Sequence, residues 1–164
     1  QHDLVDELRG WLLPRPSQHP RFLHCLGEQA LGCPPSLGFL GRFIYDGGKE
    51  FPHTIDFKKH GSRPFVDAAR IWGLKHQAWA TSTVDRFRSA AVAMRRSLSD
   101  TAATVEAFDC IQRIRIQQQL SCGESERANR VDPRQLNGLQ KMMIKEAFSQ
   151  AKGIQSRLRL ELDL

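Results

Sequence analysis

DFKKHGSRPFVDAARIWGLKHQAWATSTVDRFR, residues 56–88, is the stretch from which the rest of the chain can be read. His60, Gly61 and Ser62 mark a turn. Pro64 suits a first helical turn, where its missing N–H would be unpaired in any case, so a helix is expected from Arg63 to His76. Ser82 with Asp85 then offers a capping box, the hydroxyl accepting from the backbone while the carboxylate reaches back. A second helix is expected from there to about Arg96, with Val84, Phe87, Ala91 and Met94 on its apolar side and Arg86 and Arg88 on its polar side.

At about 100° per residue, Phe65, Ala69, Trp72 and His76 share a narrow arc, while Arg63, Asp67 and Arg70 gather on the opposite one. Asp67 lies one turn from both arginines, so one carboxylate can hold two guanidinium groups in place. That arrangement presents fixed positive charge to an anionic ligand; a solvated face with ordinary ion pairs is the alternative reading.

Working outward, Leu4, Val5, Leu8, Trp11 and Leu12 have helical spacing within Asp3–Leu13, and Pro14 and Pro16 stop that helix. Ser17 is expected to cap a second helix with Pro20 in its first turn, and Phe22, Leu23, Leu26 and Ala30 on its core stripe. Between residues 39 and 58, Phe43, Ile44 and Tyr45 lead through Asp46, Gly47 and Gly48 to Phe51, Ile55 and Phe57, the pattern of a β-hairpin insertion. Ser99 is expected to cap a long helix from Asp100 to about Leu120, with Ala102, Val105, Phe108, Ile111, Ile114 and Leu120 inside. Residues 122–129 read as a polar connector without core residues, and Asp132 and Pro133 as a short turn. Asn137 caps a last helix whose stripe runs through Leu139, Met143, Ile144, Ala147, Phe148, Ala151, Ile154 and Leu158, and Gly153 suggests a close helix crossing. The fold class is therefore all-α: a mostly antiparallel bundle of five to six helices with one small β-hairpin, spanning residues 1–164 as one domain.

The 164 residues are 40% hydrophobic and 26% charged, ordinary for a globular domain, and no apolar run is long enough to cross a bilayer. A net charge of +6 favours anionic partners at long range. Aromatic and basic residues do not interleave as in a platform for single-stranded bases, which argues against nucleic acid. The four cysteines, Cys25, Cys33, Cys110 and Cys122, show no zinc-ligand spacing. Without a secretory signal, and with Cys25 and Cys110 expected on buried helix faces, free thiols in the cytoplasm are expected. The abrupt start without Met suggests the C-terminal piece of a longer protein.

Leu37-Gly38-Phe39, Ile55-Asp56-Phe57-Lys58, Gly61 with Arg63-Pro64, Val66-Asp67, Ala69-Arg70, Thr81-Ser82-Thr83 and Arg86, then Arg115, Gln119-Leu120, Asn129, Asp132-Pro133 and Leu136, resemble in order and spacing the nucleotidyltransferase substrate-binding domain family. In that family the domain follows a catalytic domain like that of the nitrogen-regulator uridylyltransferase, often preceded by cyclic-nucleotide-binding and CBS domains in bacterial signalling proteins. The resemblance implies a non-catalytic role: substrate binding by Lys58, Arg63, Asp67, Arg70, Arg86 and Arg115, with nucleotide or acceptor as the ligand. It places Mg2+ and the nucleoside triphosphate with the upstream catalytic domain, which is the expected partner, and leaves a homodimer open. Gln117 and Gln118 stand where the family pattern is more basic.

The residues agree that the transfer chemistry lies elsewhere. Metal-assisted nucleotidyl transfer needs paired carboxylates, and Gly61-Ser62, the only Gly-Ser here, is followed by no Asp-x-Asp pair. No P-loop or G-x-G-x-x-G turn occurs. Two readings from other classes stay open: a structural or dimerisation bundle, and a helical HEPN-type ribonuclease using Arg70 and His76. Against the latter, helical geometry sets those two about 120° apart, with His76 on the arc of Phe65 and Trp72.

Overall fold

The computed structural model describes residues 3–123 and 126–164. Six helices of nine residues or more form the bundle: α1 (Leu4–Leu12), α3 (Pro20–Leu31), α4 (Arg63–Lys75), α5 (Thr83–Ala93), α6 (Leu98–Cys122) and α7 (Gly138–Glu161). A single turn, α2 (Arg15–Gln18), links α1 to α3. The two strands, β1 (Ile55–Asp56) and β2 (Arg130–Val131), pair antiparallel, with Ile55 opposite Val131. The expected helical class with its small antiparallel element is what forms.

α4 lies at the centre, packed against α3, α5 and α7, as its apolar arc requires. Phe65, Ala68, Ala69, Ile71 and Trp72 are buried, and Phe87 of α5 meets Phe65 and Trp72 edge-on at 6.5 and 6.0 Å between ring centroids. Burial of a side chain such as Phe65 contributes about 1.5–3 kcal/mol. Trp72 Nε1 donates to Glu161 Oε2 at 3.0 Å and Lys75 Nζ donates to the Glu161 carbonyl at 3.1 Å, which ties the end of α4 to the end of α7. The buried amide of Gln155 donates to the carbonyls of Ala30 and Cys33, each at 3.0 Å, satisfying the C-terminal end of α3 from α7.

The expected turn at His60-Gly61-Ser62 is instead a widened π-helical turn, Phe57–Ser62, that runs directly into α4. Pro64 has no N–H for the His60 carbonyl, so ordinary i→i+4 bonding cannot continue through it. The Arg63 N–H reaches the Lys58 carbonyl instead. Asp56 caps this turn, accepting from the backbone N–H of Lys58 and of Lys59, each at 2.9 Å. His60 Nδ1 lies 2.8 Å from the Pro34 carbonyl and its Nε2 3.2 Å from Asp46 Oδ2, which pins the turn to the preceding loop.

The hairpin expected at 39–58 is reduced to a loop. Its own residues close tight local turns, Phe51 N–H to the Gly47 carbonyl and Thr54 N–H to that of Phe51, leaving the Asp46 N–H to Thr54 carbonyl bond as the rung across. Asp46 Oδ1 accepts from the Asp56 N–H on that edge, so Ile55-Asp56 pairs with the distant Arg130-Val131. Leu37 and Phe43 form one further antiparallel bridge.

Several local expectations shift by a residue or a face. His19, not Ser17, precedes α3, and Ser17 Oγ donates back to Pro14. Ser97, not Ser99, caps α6, accepting from the Asp100 N–H at 3.0 Å. At α5 the Asp85 carboxylate accepts from the Ser82 hydroxyl at 2.7 Å, so only half of a capping box forms, whereas at α7 Asn137 and Gln140 complete one. α1 buries none of its residues, and Phe22, Leu120, Leu139 and Met143 are exposed; on α6 Phe108, Ile111 and Ile114 are buried as expected, while Thr101, Thr104 and Ala107 take the places of the exposed Ala102 and the half-buried Val105. Cys25 is exposed, Cys110 half-buried and Cys33 buried, and all four cysteines are free. In the 122–129 connector, Glu124 and Ser125 lie outside the described residues, while Glu126–Asn129 forms a 3-10 turn.

Gly153 is exposed, and a side chain there would meet nothing within 4 Å. A close approach between elements occurs instead at Gly61, where a Cβ would stand 2.8 Å from Ile111 Cγ2 on α6. Gly61→Ala would gain about 0.5–1 kcal/mol in backbone terms, but overpacking against a fully buried isoleucine costs about 1–3 kcal/mol. A net loss of stability is therefore expected in urea denaturation, and it should shrink in an Ile111→Ala background, where Cγ2 is absent.

Candidate functional site

The π-turn, the start of α4 and the middle of α6 enclose an open groove of about 420 Å³. Five of the six residues singled out in the sequence line it: Lys58, Arg63, Asp67, Arg70 and Arg115. Asp56, Lys59, Ser62 and Val66 complete the wall, giving five cationic side chains against two carboxylates.

Both carboxylates are engaged. Asp56 is the cap of the π-turn. Asp67 Oδ2 accepts from Arg63 Nε at 3.1 Å, and its Oδ1 lies 3.8 Å from Arg70 Nη1. The Asp67 side chain is 20% exposed, against 49% for Arg63 and 62% for Arg70, so the acid is sunk beneath the two guanidinium groups it steadies. Its hydrogen bond pushes the Arg63 pKa further up and keeps that charge fixed.

Arg115 reaches the groove from α6 and is held differently. Its Nε donates to Asn129 Oδ1 at 3.0 Å, and its Nη1 donates to Ser62 Oγ at 3.1 Å and Gln112 Oε1 at 2.9 Å. These acceptors are neutral, so they fix the position of the charge without cancelling it. Ser62 is 4% exposed and its hydroxyl proton is shared between Gln112 Oε1 and the Phe57 carbonyl. Ser62, Lys59 and Asn129 were not among the site residues expected from the sequence, although Ser62 was read as part of a turn and Asn129 as part of the family pattern. Lys59 had a signal in its place beside Lys58 just before α4, whereas Ser62 and Asn129 act through contacts that cross the fold. Gln118 donates to Cys122 Sγ and does not line this groove.

Arg86 is not in this groove. It packs its stem against Gly73, and its Nε donates to the Ala80 carbonyl at 3.0 Å. It opens into a neighbouring groove that shares Arg70.

Among the described residues no group of three or more His, Cys, Asp or Glu side chains could hold a metal ion. The basic groove does not fit Mg2+, since its two carboxylates are already committed to the π-turn and to two arginines. Among the described residues no helix is long and apolar enough to cross a membrane. His76 is the C-cap of α4, with Nε2 buried and without a hydrogen-bond partner among the described residues. It lines none of the three grooves that Arg70 lines.

Residues 20–162 match the family model described as "Putative nucleotidyltransferase substrate binding domain". No curated protein and no solved structure matches the chain.

Burial, followed by the nearby Lys75 charge, pushes the His76 pKa below its ordinary 6.5. Above that value the imidazole is neutral folded or unfolded and adds no pH dependence. As pH falls through 6.5 the unfolded chain takes the proton first, so stability drops until the folded pKa is passed. Between about pH 7.5 and about pH 5.5 the melting temperature of the native chain should therefore fall further than that of His76→Gln.

Proposed function

The chain belongs to the nucleotidyltransferase substrate-binding domain family, and we propose that its basic groove holds the anionic part of the transfer substrate beside the catalytic domain. The observation that carries this reading is the pairing of two ways of fixing charge in one groove. Arg63 and Arg70 stand on a sunken carboxylate, and among the described residues Arg115 is gripped only by neutral oxygens. Guanidinium groups held in place lose little freedom when a phosphate or carboxylate arrives, and each charge-assisted hydrogen bond is worth about 1.5–3 kcal/mol.

In the proposed enzyme this bundle contributes no catalytic group. An upstream catalytic domain resembling the nitrogen-regulator uridylyltransferase supplies the carboxylates, Mg2+ and nucleoside triphosphate, and transfers a uridylyl or adenylyl group. The groove closes the pocket at the seam between the two domains and orients nucleotide or acceptor. Cyclic-nucleotide-binding and CBS domains further upstream make the whole a bacterial cytoplasmic signalling protein, in which the bundle also offers a surface for self-association.

Titration calorimetry with tripolyphosphate tests the groove, and nucleotidyl transfer by the intact enzyme tests its use. Arg63→Ala is expected to weaken binding about tenfold, or about 1.4 kcal/mol, and to slow transfer. Its melting temperature should barely change, because exposed ion pairs contribute only about 0–1 kcal/mol. A large loss of stability with binding and transfer unchanged would make Arg63 part of the scaffold and leave a structural bundle.

A further inference from the structure

The groove next to the basic one has its own composition. It has a volume of about 320 Å³, lies between α1 and the joint of α4 with α5, and none of its eleven lining residues is acidic. Three of them are arginines from three helices: Arg9 of α1, Arg70 of α4 and Arg86 of α5. Trp79, 53% exposed, lines the same space, with Leu12 and Leu74.

Arg86 is the half-buried member. Burial, then the charges of Arg70 and Arg9, push its pKa down, the sign of like charges converging where water is partly excluded. Its Nε is held by the Ala80 carbonyl, and its two terminal nitrogens make no hydrogen bond among the described residues. Arg9 and Arg70 each have one carboxylate, Asp6 and Asp67, at 3.8 Å, but neither acid lines the groove. Like charges brought together this way cost stability unless an anion completes the set. The exposed indole beside them offers a flat face to a planar ring.

We propose that this second groove binds a nucleoside phosphate, its phosphate on Arg9 and Arg86 with Arg70 at the edge, and its base stacked on Trp79. The volume suits a ligand of this size. Stacking on one aromatic face tolerates any base, at about 1–3 kcal/mol per base, so the phosphate supplies charge and the ring supplies contact area. Arg9 lies outside the matched residues 20–162, so one wall of the groove comes from a helix that the family match does not include. The site is separate from the one proposed above for transfer substrate, and Arg70 borders both.

The probe is AMP, small enough to occupy one groove, with adenosine and inorganic phosphate as its halves, read by titration calorimetry and by the tryptophan emission of the full chain, to which Trp11, Trp72 and Trp79 contribute. AMP is expected to quench that emission. Trp79→Leu should abolish the quench, and Arg9→Ala and Arg86→Met should each weaken AMP at least about tenfold. Arg86→Met keeps the stem that packs on Gly73, and Arg9 lies on α1, which has no buried residue, so at least one variant reports on a folded chain. Arg63→Ala should leave the Trp79-dependent quench unchanged, because Arg63 does not line the groove that holds Trp79. AMP binding that is absent, that is insensitive to both Arg9→Ala and Arg86→Met, or that fails only in Arg63→Ala would overturn the proposal. Tripolyphosphate binding lost in Arg63→Ala would still stand for the basic groove in each case.

Discussion

Gly61 has no side chain, and the backbone of the π-turn rests on Ile111 because of it. That close approach sets the position of everything in the basic groove. With the turn pressed onto α6, Ser62 falls within reach of Gln112 and Arg115, and Arg63 begins α4 at the lip of the groove. Phe57 and Phe148, fully buried with ring centroids 5.5 Å apart, hold the turn from beneath. The bonding pattern that Pro64 forbids and the contact that Gly61 permits are thus two halves of one local solution.

The charges in the groove are poorly explained as stabilisers. Surface ion pairs contribute little, and Arg63 and Arg70 are too exposed to be exceptions. Arg115 takes three neutral hydrogen bonds where a carboxylate would have served stability better. What these contacts do provide is fixed orientation with positive potential left over, the property a site for anions needs and a scaffold does not.

Much of this was legible in the sequence because it depends on helical period. The arc of Phe65, Ala69 and Trp72 and the opposing Arg63–Asp67–Arg70 set follow from local spacing, and both formed. Asn137 was legible as a cap for the same reason. The strand pairing was not, because β1 finds its partner about halfway along the chain from it, and a Gly-Gly turn signals only a neighbour. Arg86 shares the helix period of α5 but turns toward α1, and nothing local says which helix will stand opposite. The exposure of the α1 apolar residues was illegible too, since periodicity reports a face and not what covers it.

The two-residue ladder between β1 and β2 has a mechanical meaning. β1 leads directly into the turn that carries Lys58, and β2 follows directly on Asn129, which grips Arg115. The opposing jaws of the groove are therefore fastened to each other by main-chain bonds at a common hinge pin. Such a clamp arrives already set at its working width, so under the proposed function an incoming anion would meet a cradle that needs little rearrangement, and more of the contact energy would remain as affinity.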